Sequence, residues 1–268
     1  MIKLTQNSRI RLKKLLKPLW KLPKTLLRRA GYTCYSDRSS PWGSNLKSDL
    51  EKLGFSPAKA QVILDIGAND GRWLASAYDM FPHATFHAFE PVPNTFETLC
   101  TNVKKKTRVR TYSNGFSSEA KNISMQLYEN SRVSSMEMEK VQPGHIPLKT
   151  VSVECLTLDA WLEGRGINEI DFIKLDVEGH ELQVLNGGVE MLRQSRAAFL
   201  LIEAKSVLAS EVLGPGVSLE QLSGFLSPFG YRLMVLYTDF VNLPTHPYYT
   251  NFDALFARVV RGHQKSTS

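Results

Sequence analysis

The chain has 268 residues, 43% of them hydrophobic and 22% charged, with 17 glycines and 13 prolines, which excludes collagen-like and wholly disordered chains and allows one catalytic-sized domain or two small ones. No run approaches the ~18 uninterrupted apolar residues of a membrane span. The net charge of +7 is local, because the first thirty residues carry ten Lys and Arg and no acid; the high pI therefore reports a basic arm on a slightly acidic body, not a nucleic-acid-binding domain.

In the arm, Leu12, Leu15, Leu16 and Leu19 fall at helical spacing from Ser8 onward, so a short amphipathic helix with a basic opposite face is expected, limited by Pro18 and Pro23. Such a face suits anionic lipid or a lipid-linked substrate, and peripheral membrane contact is expected through residues 1–30; the alternative is an arm that packs on the domain or frays. Lys and Pro interrupt every apolar stretch here, so no secretory h-region forms. Cys34, Cys100 and Cys155 are more than fifty residues apart, which fits neither a disulfide framework nor a zinc ligand set and points to a reducing, cytoplasmic setting. Residues 36–43 read as a loop, and Leu46, Leu50 and Leu53 as one helix face ending at Gly54. The expected division is an extension over 1–54, a domain over 55–262 and a tail over 263–268.

From Val62 short apolar runs alternate with helical stretches, the pattern of an α/β protein with a parallel sheet buried on both faces. Strands are expected at Val62–Ile66, Thr85–Phe89 and Arg108–Tyr112. Between them lie a helix carrying Trp73, Leu74, Ala77, Tyr78 and Phe81 on one side and another over Thr95–Val103. Alternation in Ile123–Leu127 and Val151–Cys155 has period two and predicts an inserted antiparallel hairpin, connected by the polar segment Asn130–Gly144. A short helix over Asp159–Glu163 precedes strands at Ile170–Leu175 and Ala198–Ile202, separated by one helix through Leu182, Val184, Leu185, Met191 and Leu192. A helix over Ser218–Leu226 and strands at Tyr231–Tyr237 and Ala254–Val260 complete the chain.

Ligands of open α/β sheets bind beyond the carboxyl ends of the strands, and four exits carry acids: Asp65, Glu90, Asp176 with Glu178 and His180, and Glu203. The turn Gly67-Ala68-Asn69-Asp70-Gly71 is G-x-x-x-G, without the glycine that lets a backbone approach a pyrophosphate. Asp65 beside it would repel that group, whereas it suits the amino group and sulfonium of S-adenosylmethionine.

The stretches VILDIGANDGRWLASA, FHAFEPVPNTFETLCTN, IDFIKLDVEGHELQVLNGG and LLIEA, in that order, closely resemble the FkbM family of S-adenosylmethionine-dependent methyltransferases, from about Val62 to Val259. The resemblance implies a class I methyltransferase (Rossmann-like) fold: a seven-stranded, mostly parallel sheet with helices on both faces, strand order 3-2-1-4-5-7-6, and the last strand antiparallel. It implies methyl transfer, usually to a hydroxyl of a sugar, glycolipid or secondary metabolite. Carried onto this sequence, Gly67, Ala68, Asn69 and Gly71 face the methionine part of the cofactor, Asp65 orients its amino group, and Glu90 holds the ribose hydroxyls. The turn Asn114-Gly115-Phe116-Ser117 contacts the adenine through Asn114 or Ser117.

An alcohol must lose its proton during attack, so a base or a metal is needed. Imidazole titrates near neutrality, which makes His180 the natural general base; its alternative is a helix-start residue hydrogen-bonded to backbone. Asp176 would orient that ring or position the hydroxyl directly, with Glu178 beside it. Glu181 reads as solvated or capping. Asp176 and Glu203 are the candidate ligands for a divalent metal, an incomplete set. No N/D-P-P-Y/F/W follows the fourth buried strand, and the acids there disfavour nucleic acid as a partner. His246-Pro247-Tyr248-Tyr249 and the segment 130–144 are candidate acceptor walls. A non-catalytic binding module on this fold, and less favourably a nicotinamide oxidoreductase, are the other classes.

Overall fold

A computed structural model describes residues 39–127, 149–205, 216–238 and 251–259. The arm helix, the hairpin connection, the 246–249 segment and the tail lie outside the described residues.

The strands are β1 (Val62–Ile66), β2 (Thr85–Phe89), β3 (Val109–Tyr112), β4 (Gly115–Phe116), β5 (Lys121–Leu127), β6 (Lys149–Leu156), β7 (Ile170–Leu175), β8 (Ala197–Lys205), β9 (Tyr231–Thr238) and β10 (Asn251–Arg258). Seven of them form one sheet in the order β3-β2-β1-β7-β8-β10-β9. The pairs through β8 are parallel, and β10 runs antiparallel to both neighbours. This is the strand order the resemblance implies.

Helices α1 (Leu46–Lys52), α2 (Arg72–Met80) and α3 (Pro93–Val103) cover one face; α4 (Leu158–Glu163), α5 (Glu181–Asn186), α6 (Val189–Arg193) and α7 (Leu219–Leu226) cover the other. Side chains alternate along each strand, so Ile63, Phe172 and Leu201 meet Leu50, Leu74 and Leu99. Leu64, Ile173 and Leu200 meet Trp161, Leu185 and Leu222 on the other side. Fully burying each such side chain contributes about 1.5–3 kcal/mol. Because Leu50 belongs to this core, residues 46–53 pack as part of the body although the sequence places them in the extension. Chain contacts divide at Pro41/Trp42.

The hairpin forms as expected, with Ile123 opposite Val153 and Met125 opposite Val151. The segment read as the turn Asn114–Ser117 instead contains a strand, β4, which pairs parallel with β6 through Gly115 and Phe116. The single helix expected from Leu182 to Leu192 is two, broken at Gly187-Gly188. A Cβ on Gly187 would stand 2.1 Å from the Ser117 carbonyl oxygen. The break lets the loop after β4 approach the helix layer, and that approach places Ser117 against the start of α5.

Candidate active site

The acids forecast at the strand exits converge at the carboxyl edge of β1, β2, β7 and β8, but their roles divide by depth. Asp65 has no exposed surface, and neither carboxylate oxygen has a hydrogen-bond partner. Burial pushes it up to about 7, partly offset by the Lys174 ammonium. Asp65 therefore lies beneath the edge on which Glu90 and Asp176 stand. Glu90 is 6% exposed and anchored by two backbone donors, Val92 N–H to Oε1 at 2.9 Å and Asn69 N–H to Oε2 at 3.0 Å. A carboxylate oxygen has two acceptor positions, so each oxygen keeps one for a hydroxyl. Burial raises Glu90 to about 7.

The glycine turn is held by its own donors. Gly67 and Ala68 N–H both bond the Phe89 carbonyl, at 3.0 and 2.8 Å, and Gly71 N–H bonds the Ala68 carbonyl at 2.9 Å. Asn69 N–H goes to Glu90, and Asp70 N–H to Asn69 Oδ1 at 2.8 Å. A phosphate cradle needs free N–H groups, and here all five are committed, which removes the dinucleotide reading. Gly67 adopts φ +83°, and a Cβ there would stand 1.8 Å from the Asp176 carbonyl oxygen; the glycine is required by the close approach of the β1 and β7 exits. Gly71, at φ +82°, begins α2 against Leu99. Ala68 is buried and Asn69 takes φ +50°.

After β7 the chain turns through Asp176-Val177-Glu178-Gly179-His180. Glu181 fastens this turn: its Oε1 accepts N–H from Val177 at 3.1 Å and Gly179 at 3.2 Å. It is buried, so of its two expected states it caps and is not solvated. Glu178 is thereby held at φ +55°, a left-handed conformation that is costly for a side-chain-bearing residue. Burial and the neighbouring Asp176 raise Glu178 to about 8, and burial with Asp176 and Glu178 pushes Glu203 upward.

His180 is 7% exposed and its Nε2 lies 3.2 Å from Ser117 Oγ, itself buried. Ser117 thus meets the imidazole, a consequence of the β4–β6 pairing that no local pattern announces. Asn114 Nδ2 bonds the carbonyl of its neighbour Gly115 at 3.0 Å. Asp176 bonds the Lys174 ammonium at 2.6 Å. Sequence reasoning passed over Lys174, although a lysine inside the apolar run Ile170–Leu175 was the available signal.

The chemistry of this edge fits a cation. Asp65, Glu90, Asp176, Glu178 and Glu203 bring their carboxyl groups to one edge against the buried Lys174 and Lys205, and a cation beside buried acids favours their ionised form. A divalent ion fits less well: a lysine ammonium already occupies Asp176 Oδ2. Among the described residues no three His, Cys, Asp or Glu are arranged to share a metal.

A family model described as the methyltransferase FkbM domain matches residues 65–233. The 2-O-methyltransferase NoeI of Sinorhizobium fredii is 28% identical over 165 residues, covering 57% of this chain and 68% of that protein. The hexuronic acid methyltransferase AglP of Haloferax volcanii is 32% identical over 160 residues, covering 59% of this chain and 62% of its own length. The chain thus spans about two thirds of the relatives it matches. The solved N-methyltransferase NodS from Bradyrhizobium japonicum overlays with a TM-score of 0.45 at 11% identity, over 79% of this chain and 94% of that one.

Proposed function

The chain belongs to the FkbM methyltransferase family, and from that premise we propose that it transfers the methyl group of S-adenosylmethionine to a hydroxyl oxygen of a sugar, free or within a glycan or glycolipid. The observation that carries this is the convergence of carboxyl groups at the sheet's carboxyl edge, with the Asp65 side chain unpartnered beneath it. The names of the two curated relatives, one a 2-O-methyltransferase and the other acting on hexuronic acid, support a sugar hydroxyl as acceptor.

When bound, the cofactor supplies an electrophilic methyl group on a sulfonium. Glu90 would hold the two ribose hydroxyls with its remaining acceptor positions, and the committed turn Gly67–Gly71 would offer the methionine part its carbonyls and the Asn69 side chain. Asn114 would contact the adenine. Asp65 acts at one remove, through the field it shares with Lys174. On the acceptor side Asp176 receives the hydroxyl, and Glu178, protonated at neutral pH because it is raised to about 8, donates to a neighbouring sugar oxygen. His180 accepts the departing proton, with Ser117 fixing its ring. In this reading no metal takes part.

Calorimetric titration with S-adenosylmethionine and S-adenosylhomocysteine tests the cofactor. Transfer of a labelled methyl group to methyl glycosides of neutral hexoses, deoxyhexoses and hexuronates tests the acceptor. Binding of neither cofactor form by folded protein refutes the proposal. We also propose that residues 1–30 carry the enzyme to anionic lipid. No helix among the described residues is long and apolar enough to cross a membrane. Deleting the residues before Tyr32 should abolish association with phosphatidylserine vesicles and leave cofactor affinity unchanged; retained association refutes the address.

A further inference from the structure

Lys174 sits on β7 with its ammonium buried among apolar strands, 6% exposed. An ammonium has three donors, and its hydrogen bond in this structure is to Asp176 Oδ2 at 2.6 Å. Asp65 is its registered partner on β1. Partners in parallel strands project to the same face, and Asp176 follows Lys174 by two residues, so Asp65, Lys174 and Asp176 share one face. The Asp65 carboxylate lacks any hydrogen bond, and the residue has no exposed surface. A buried carboxylate without a donor, beside a buried ammonium with donors to spare and coulombically coupled to it, is a costly arrangement that a hydrogen bond between the two would relieve. The ammonium feels both acids and, more weakly, Asp253.

We propose that Lys174 is a positioning residue with two seats, on Asp176 while Asp176 is idle and on Asp65 when Asp176 is engaged. Asp176 is the more exposed acid, its side chain 32% accessible, so it is the one a ligand reaches. When an acceptor hydroxyl takes Asp176, the ammonium transfers to Asp65. Asp176 is then released as a hydrogen-bond acceptor, and no buried charge is stranded. This gives the unpartnered Asp65 a function: it is the reserve seat that allows the outer acid to work. The inference rests on the reading that Asp176 meets the acceptor; the two-seat arrangement itself is testable without any ligand.

The first experiment is a double-mutant cycle on the full chain, using Asp65→Asn, Asp176→Asn and both together, read by urea unfolding. If either acid can seat the ammonium, the double variant should lose more than threefold more in its unfolding constant than the two single losses combined predict. Additivity within threefold overturns the proposal. Should the double variant fail to fold, adding Lys174→Met must restore folding by removing the stranded cation; no recovery also overturns it. The second readout is the side-chain ammonium resonance of 15N-lysine-labelled protein, assigned by its loss in Lys174→Met. In free protein it should respond to Asp176→Asn, and in Asp176→Asn protein it should become sensitive to Asp65→Asn. Saturation with S-adenosylhomocysteine reports separately on the cofactor reading, since absence of binding there leaves the ligand-free cycle intact.

Discussion

Raising the pH from 6 to 8 should strengthen binding of S-adenosylmethionine relative to S-adenosylhomocysteine. The two ligands share the amino acid and nucleoside and differ by the sulfonium charge, so the ratio of their affinities isolates that charge from the titration of their common amino group. Burial holds Asp65 and Glu90 at about 7. At pH 6 about a tenth of such a carboxyl is ionised and at pH 8 about nine tenths. Each carboxyl that must be charged to favour the sulfonium therefore contributes about tenfold, or about 1.4 kcal/mol, across this interval.

The same shifts fix the sign for the ligand-free protein. A carboxyl raised in the folded state contributes stability that is fully present below its unfolded pKa and is lost as pH rises through its folded value. Moving Asp65 from 3.8 to about 7 corresponds to about 4 kcal/mol at the high-pH limit, and Glu90 to about 3 kcal/mol; their proximity keeps the two from adding. The melting temperature without ligand should accordingly fall between pH 5 and 8, and the increment given by S-adenosylmethionine should grow. Titration calorimetry with both ligands at pH 6, 7 and 8, in buffers of different ionisation enthalpy, also counts the protons released. A ratio that stays flat, with no proton release specific to the sulfonium, would refute the electrostatic basis of cofactor selection.

Gly67→Ala should prevent stable folding or cost more than about 3 kcal/mol, since its Cβ would collide with the Asp176 carbonyl oxygen at a positive φ; thermal denaturation checks it. Glu90→Ala should weaken cofactor affinity first, whereas His180→Ala and Asp176→Ala should lower turnover on the acceptor found by the glycoside panel about 100-fold or more with cofactor affinity nearly intact. Full turnover in His180→Ala would reject the imidazole as base. EDTA should leave turnover unchanged, and loss restored by Mg²⁺ would reinstate a metal at Asp176 and Glu203. Glu178→Gly should raise stability by about 1 kcal/mol through relief of the φ +55° backbone, measured by urea unfolding, while reducing turnover; a stabilised and fully active variant would remove Glu178 from acceptor binding.

The sheet was legible because its strands are buried on both faces and so read as apolar runs. Val62–Ile66 and Thr85–Phe89 match their sequence bounds residue for residue. Errors arose where tertiary contact overrode local pattern. Nothing within Gly115-Phe116 distinguishes a turn from a two-residue strand, because its partner Cys155-Leu156 lies some forty residues away. The helix through Leu182 and Leu192 kept its apolar spacing across Gly187, whose need is set by the distant Ser117 carbonyl. The acids at the strand exits were equally legible as a set, but not their depth. Asp65 and Asp176 read alike in sequence, and only the register of β1 against β7, which brings Lys174 beside Asp65, separates the inner charge from the outer one.

That separation explains why a protein would retain an unpartnered carboxylate in its core. Replacing Asp65 with an apolar residue would remove a desolvation cost, yet it would leave Lys174 bound to Asp176 alone. A carboxylate tied to a buried ammonium at 2.6 Å is a poor acceptor for an incoming hydroxyl, because its charge is already neutralised and one oxygen is occupied. In the two-seat arrangement proposed above, stability and catalysis would therefore pull Asp65 in opposite directions, and burial imposes the same cost on the raised carboxyls of Glu90, Glu178 and Glu203. On the proposed function a cationic methyl donor would resolve it: a bound sulfonium would favour the ionised form that burial disfavours in the empty site, so the strain of the ligand-free edge would become selectivity for the methylated over the spent form of the cofactor.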